Sequence, residues 1–226
     1  MYRIVLDTEA LPNDKVYDFA FVVLNDELHE VMRYRMLVRE TLANDAELQT
    51  AHYVDKLPQY LAAVARGDVF IKPFREVWSD FLNACAQYNV KEVWAHNATY
   101  DRRALNTTVK WVTNNAFNEF LPTGIKWRCS CAAAAQTICN SRNYFKFAAA
   151  NGFVSPNGNV RTTAEAVYCY LIKNGDFTEE HTALADALIE CEIVRAAKRY
   201  HKRMDATPSG SAWRYPQTKF KEWAAK

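Results

Sequence analysis

Apolar positions form two kinds of pattern. Up to about residue 38 they lie in short dense runs, and further on they recur at three and four residues. The run IVLDTEA at 4–10 reads as a strand closing on two acids. LPNDK is a turn by composition, and VYDFAFVVLN at 16–25 is β-branched and aromatic enough for a second strand. LHEVMRYRMLV at 28–38 is a third, joined by a short DE connection, so the first three strands are expected to form an antiparallel meander. From about residue 40 to 73 the pattern turns irregular and largely helical, ending in ARGD and a short VFIKP. This stretch is expected to be an insertion on the sheet's edge.

The second half alternates. In FREVWSDFLNACAQY, residues Phe74, Val77, Trp78, Phe81, Leu82 and Cys85 make one apolar stripe of an amphipathic helix. KEVWAH reads as a buried strand and NATYDRRALNTTVKWVTNNAF as the helix after it. IKWRCS is another strand, with CAAAAQTIC helical behind it. Strand followed by helix implies parallel pairing through helical crossovers. Helices follow near 142–150, 162–173 and 183–200, and DATPSGSA leads into the tail WRYPQTKFKEW. The expected organisation is a catalytic-type domain over 1–204, carrying the 40–73 insertion, and a linker with a basic, aromatic tail over 205–226. The fold class is α/β.

Composition narrows this. The chain has 226 residues, half of them hydrophobic, enough for one substantial core. A net charge of only +2 announces no global basic field, so any nucleic-acid contact must be local. The six cysteines sit mostly in apolar stretches and read as reduced core residues. Cys129, Cys131 and Cys139 lack the CxxC spacing and companion histidine of a zinc site. With no signal-peptide pattern and no apolar run of membrane-spanning length, a soluble, cytoplasmic protein with no membrane partner is expected.

The candidate chemistry lies in acids on apolar faces. Side chains alternate along a strand, so Asp7 and Glu9 leave the same side of the first one. Two neighbouring carboxylates at the end of an apolar strand repel each other unless a positive partner sits between them, and the pair therefore predicts a divalent cation. The same DxE string at Asp45 and Glu47 lies in a polar run and reads as a solvated helical face. Asp101 shares its helix face with Leu105, Val109 and Val112, and Asp186 heads a row containing Ile189 and Ile193. A cation would resolve the burial of these carboxylates too. His181 stands five residues before Asp186 and belongs to the loop ahead of that helix, with Thr182 as its N-cap.

Taken together, IVLDTEA, WAHNATYDRRAL and EEHTALADALIE resemble the three motifs of the DEDDh branch of the 3′–5′ exonuclease superfamily, the group of ribonuclease T and the polymerase III proofreading subunit. The resemblance covers most of the chain in the right order. It implies a ribonuclease H-like mixed sheet, with Asp7, Glu9, Asp101 and Asp186 as ligands of two Mg²⁺ (or Mn²⁺) ions and His181 as general base. Asn97 and Tyr100 resemble positions that line the pocket for the terminal nucleotide, where the backbone at Ala10 and Leu11 would also bind. The first motif departs from the usual pattern: Ala10, Leu11 and Pro12 stand where many relatives have a threonine and then a glycine. The expected activity is removal of nucleoside 5′-monophosphates from a nucleic-acid 3′ end, with single-stranded DNA preferred. An exoribonuclease and a non-catalytic polymerase-accessory or nucleic-acid-binding module are the alternatives. A polymerase or a second copy of the chain would be the protein partner. The tail's Trp213, Arg214, Tyr215, Lys219, Phe220, Lys221 and Trp223 suit either a grip on a single strand or docking onto the domain.

Overall fold

The computed structural model describes residues 1–200 and 204–226, and for Asp45 the backbone alone. The reading of Asp45 as a solvated acid therefore falls outside the described side chains. The elements follow the expected order, with a short strand at Phe70–Lys72 added inside the stretch expected to be largely helical. Strands β1 (Arg3–Ala10), β2 (Val16–Leu24) and β3 (Glu30–Val38) come first. Then come α1 (Arg39–Leu42), α2 (Asp45–Leu48), α3 (Leu57–Arg66), β4 (Phe70–Lys72), α4 (Phe74–Gln87), β5 (Glu92–Ala95), α5 (Thr99–Thr113) and β6 (Lys126–Cys129). Among the described residues, the α-helices that follow are α6 (Ser130–Gln136), α7 (Arg142–Ala150), α8 (Ala164–Ile172), α9 (Ala183–Lys198) and α10 (Gln217–Ala224).

These strands form one mixed six-stranded sheet in the order β4-β3-β2-β1-β5-β6, flanked by helices. The meander is antiparallel throughout, Asp7 facing Ala20 and Glu9 facing Asp18 across β1 and β2. A bulge between Glu9 and Ala10 breaks this register where the acids end. β2 lies between β1 and β3, and all nine of its residues are buried, which is why its sequence reads as a run that is apolar but for Asp18. β4 runs parallel to β3, so the 40–73 stretch does reach the sheet's edge.

Contacts divide the chain into two compact units. The first comprises Met1–Val93, Tyr100–Lys126 and His181–Ala187. Its core is aromatic: the Phe81 ring lies 4.5 Å from Phe120 and 5.6 Å from Phe21. The expected stripe on α4 buries Phe74, Val77, Phe81 and Cys85, with Trp78 and Leu82 half-buried beside it. The helix expected to run on to Phe117 instead stops at Thr113, because Asn114 takes a left-handed conformation, φ 50°.

Trp94–Thr99, Trp127–Glu180 and Leu188–Lys226 make up the second unit. Thr163 caps α8 through its side chain, and Lys173 closes it at φ 58°. The tail is folded back within this unit. Gln217 holds both the N–H and the carbonyl of Val160 at 2.9 Å, and Phe220 packs 5.3 Å from Phe145. All six cysteines are buried and unbridged. Among the described residues, no helix is long and apolar enough to cross a membrane.

Candidate metal centre

The site grows from β1. Ile4, Val5 and Leu6 are fully buried and pin the strand in the sheet, and alternation then directs Asp7 and Glu9 to one side. Asp186, in the first turn of α9, comes to meet them: carboxylate oxygens of Asp7, Glu9 and Asp186 all lie within 4.8 Å of one another. Glu9 and Asp186 are buried and Asp7 is half-buried. An imidazole nitrogen of His181 lies within 4.8 Å of an Asp186 carboxylate oxygen.

Asp101 is held differently. It sits 2 % exposed in the first turn of α5, and its Oδ1 accepts a hydrogen bond from the Thr8 hydroxyl at 2.9 Å. Thr8 stands between the two acids of β1 and leaves the strand's other face, so the strand that carries Asp7 and Glu9 also holds Asp101, a fourth carboxylate outside the trio whose oxygens lie within 4.8 Å of one another. Asp101 and the two acids of β1 act on the same neighbour: burial, followed by the charges of Asp101, Glu9, Asp14 and Asp7, pushes the Tyr100 phenol up to about 12. At neutral pH that phenol is protonated and can donate a hydrogen bond. Tyr17 responds in the same direction, to burial first and then to Glu9 and Asp18, and its buried hydroxyl has no hydrogen-bond partner among the described residues.

A second layer fixes the geometry. Asp18, opposite Glu9 in the sheet, is fully buried and bound by both arms of Arg35, at 3.1 and 2.8 Å. The same carboxylate accepts the Ala183 N–H at 3.1 Å, satisfying a first-turn donor of α9 and setting the helix end from which Asp186 projects. His181 is in the loop before α9, as expected, and has a left-handed backbone, φ 55°. The phenol of Tyr60 donates to its carbonyl at 3.2 Å, and the ring of Tyr53 stacks on its imidazole, 4.2 Å away and 10° from parallel.

Of the expected pocket residues, Ala10 and Leu11 are buried at the end of β1 and beyond it. Tyr100 is half-buried, with the Arg103 guanidinium 5.4 Å from its ring centre. Asn97 is exposed in a left-handed turn, its side-chain oxygen accepting from Thr99 at 3.1 Å. Sequence reasoning missed Thr8, Asp18, Tyr53 and Tyr60. The DTE string held a signal for Thr8, since a polar residue opposite the acids on a buried strand needs a partner. The others lie far along the chain from what they touch, and no local pattern marks them.

The donors suit a hard divalent cation. Three converging carboxylates, two of them buried, offer oxygen atoms that a cation could share, and among the described residues neither a thiol nor a second imidazole joins the Asp7, Glu9 and Asp186 group.

Solved structures with this fold include exonuclease I of E. coli. Its zinc-ion-bound complex with single-stranded DNA matches at a TM-score of 0.54 and 10% identity, over 89% of this chain and 41% of that one. The complex with a 5cy-dT13 oligonucleotide gives 0.55 and 8%, over 88% and 40%. An SSB-Ct complex of the same enzyme gives 0.51 and 8%, over 95% and 43%. This chain thus spans about two fifths of the length of those proteins. At such identities the likeness establishes the fold. No protein-family model and no curated protein sequence matches.

Proposed function

We propose that this chain is a divalent-metal-dependent 3′–5′ exonuclease, acting on single-stranded DNA and releasing nucleoside 5′-monophosphates. The observation that carries the reading is the convergence of Asp7, Glu9 and Asp186 within 4.8 Å, with His181 beside Asp186. The sheet of exonuclease I as the scaffold supports it.

Asp7, Glu9, Asp101 and Asp186 would hold two Mg²⁺ (or Mn²⁺) ions. Such ions, when bound, neutralise phosphate charge and act as Lewis acids toward phosphoryl oxygen. The protein's own residues do the rest. His181, as neutral imidazole, accepts the proton of the attacking water. Water oxygen bonds to phosphorus, the bond from phosphorus to the 3′ oxygen breaks, and that oxygen takes up a proton from solvent, so the shortened strand ends in a new 3′-hydroxyl. The backbone at Ala10 and Leu11 and the protonated phenol of Tyr100 would cradle the departing nucleotide, and Asn97 stays assigned to that pocket by resemblance alone. Asp101 is kept in register by Thr8. We assign this chemistry to residues 1–204 and a cytoplasmic setting to the protein, with 205–226 as an accessory tail.

The test is degradation of one sequence supplied as single-stranded DNA, duplex DNA and RNA, with Mg²⁺, by wild type and by Asp7→Asn. Nucleoside 5′-monophosphates are expected from wild type, fastest on single-stranded DNA, with a loss of roughly a thousandfold in the variant, about 4 kcal/mol of transition-state stabilisation. Activity that survives the substitution overturns the metal assignment. RNA degraded faster than DNA would select the exoribonuclease, and binding without turnover the accessory module.

A further inference from the structure

The 40–73 segment does more than extend the sheet. It is sewn to the chain before and after β2. Glu47 takes the Lys15 ammonium at 2.9 Å and the Asn13 amide at 3.1 Å. Leu48, Ala51, Tyr60, Ala63 and Val69 are buried in one cluster with Leu11, Tyr17 and Leu37. Tyr60 is 2 % exposed and held by two neighbours, edge-on to Tyr17 at 6.0 Å and under the Arg35 guanidinium at 5.3 Å. From that rigid base its hydroxyl reaches the His181 carbonyl, 121 residues away, while Tyr53 covers the imidazole face. His181 is not a glycine, yet it holds φ 55°, a left-handed conformation that costs an L-residue energy its surroundings must offset. Two independent contacts from one segment thus converge on one residue, one on its backbone and one on its ring.

We infer that this segment is a two-tyrosine clamp, with Tyr53 and Tyr60 as positioning residues that hold the His181 imidazole for proton transfer. The clamp rests on the nuclease reading for its purpose, though not for its existence. Tyr60 sets where the loop crosses, and Tyr53 restricts rotation of the ring. Neither residue is asked to touch substrate. A base placed about an ångström off its line loses one to two orders of magnitude in rate, which is the scale of effect expected here.

Two measurements on the full chain decide the matter. In the first, kcat and KM for a 3′-labelled oligonucleotide are compared across Tyr53→Ala, Tyr53→Phe, Tyr60→Phe and His181→Ala. Tyr53→Ala is expected to lower kcat roughly 10- to 100-fold with KM nearly unchanged. Tyr53→Phe, which keeps the ring, should restore the rate, and Tyr60→Phe should show a smaller fall. Adding Tyr53→Ala to His181→Ala should change the rate by less than about twofold, since a residue acting only through the histidine has nothing left to position. In the second, the His181 ring C–H resonance is followed by NMR. Stacking on Tyr53 shifts it upfield, and Tyr53→Ala should return it to the free value. Wild-type kcat in Tyr53→Ala, or a full additive loss in the double variant, overturns the clamp, and so does an unshifted resonance. A shifted resonance in a protein that hydrolyses nothing leaves the clamp in place and removes the nuclease reading instead.

Discussion

At the scale of single residues, a hydroxyl decides as much as the carboxylates do. Asp101 is nearly inaccessible, and the Thr8 hydroxyl holds one of its oxygens at 2.9 Å. A hydrogen bond to a charged acceptor contributes about 1.5–3 kcal/mol, and it also fixes which way the acid points. Thr8→Val keeps the shape and deletes the hydroxyl. It is expected to lower metal-dependent hydrolysis roughly tenfold, as loss of an outer partner of a ligand does, and to raise the Mg²⁺ concentration needed for half-maximal rate. A variant with the wild-type Mg²⁺ dependence would show that Asp101 needs no such orientation. The DxE spacing and the amphipathic placement of Asp101 and Asp186 were legible in the sequence because strand and helix periodicity are local properties. The role of Thr8 was hidden, because it depends on a partner 93 residues away.

At the scale of elements, the α9 helix is anchored by β2 and β3 rather than by its own leading residues alone. Asp18 on β2 binds Arg35 of β3 and the Ala183 N–H together. Burial works against the charge on Arg35, but the hydrogen bonds and charge of Asp18 outweigh it and hold the guanidinium firmly protonated. Asp18→Asn would leave that cation half-paired in a largely dry site and should destabilise the fold by about 3 kcal/mol. Urea unfolding would register this as a lower midpoint at unchanged slope. A loss below about 1 kcal/mol would mean that Arg35 reaches water when Asp18 is neutral. Thr182 read as the start of α9 in the sequence, and the helix does begin at Ala183. What the local reading could not supply was Asp18, 165 residues earlier, acting on the first turn.

At the scale of the whole molecule, the carboxylate cluster couples cation binding to folding. Acids gathered within 4.8 Å repel one another in the folded chain and separate when it unfolds. A cation that binds only the folded form stabilises it by about 2.7 kcal/mol at a hundredfold excess over its dissociation constant. Mg²⁺ or Mn²⁺ should therefore raise the thermal midpoint of wild type by several degrees, roughly 2–4 °C per kcal/mol for a chain of this size. EDTA should reverse the rise, and Asp7→Asn should abolish most of it; equal rises in both proteins would place the binding elsewhere. The sequence by itself determined the antiparallel meander, the strand-then-helix order after it, the acid pair on β1 and the acids on two later helices, because each follows from the spacing of neighbours along the chain. Only the tertiary structure decided that Asp186 meets Asp7 and Glu9, that Thr8 holds Asp101, and that two tyrosines from the 40–73 segment close on His181. Those are meetings between residues far apart in sequence, fixed by sheet register and core packing, and periodicity carries no information about them.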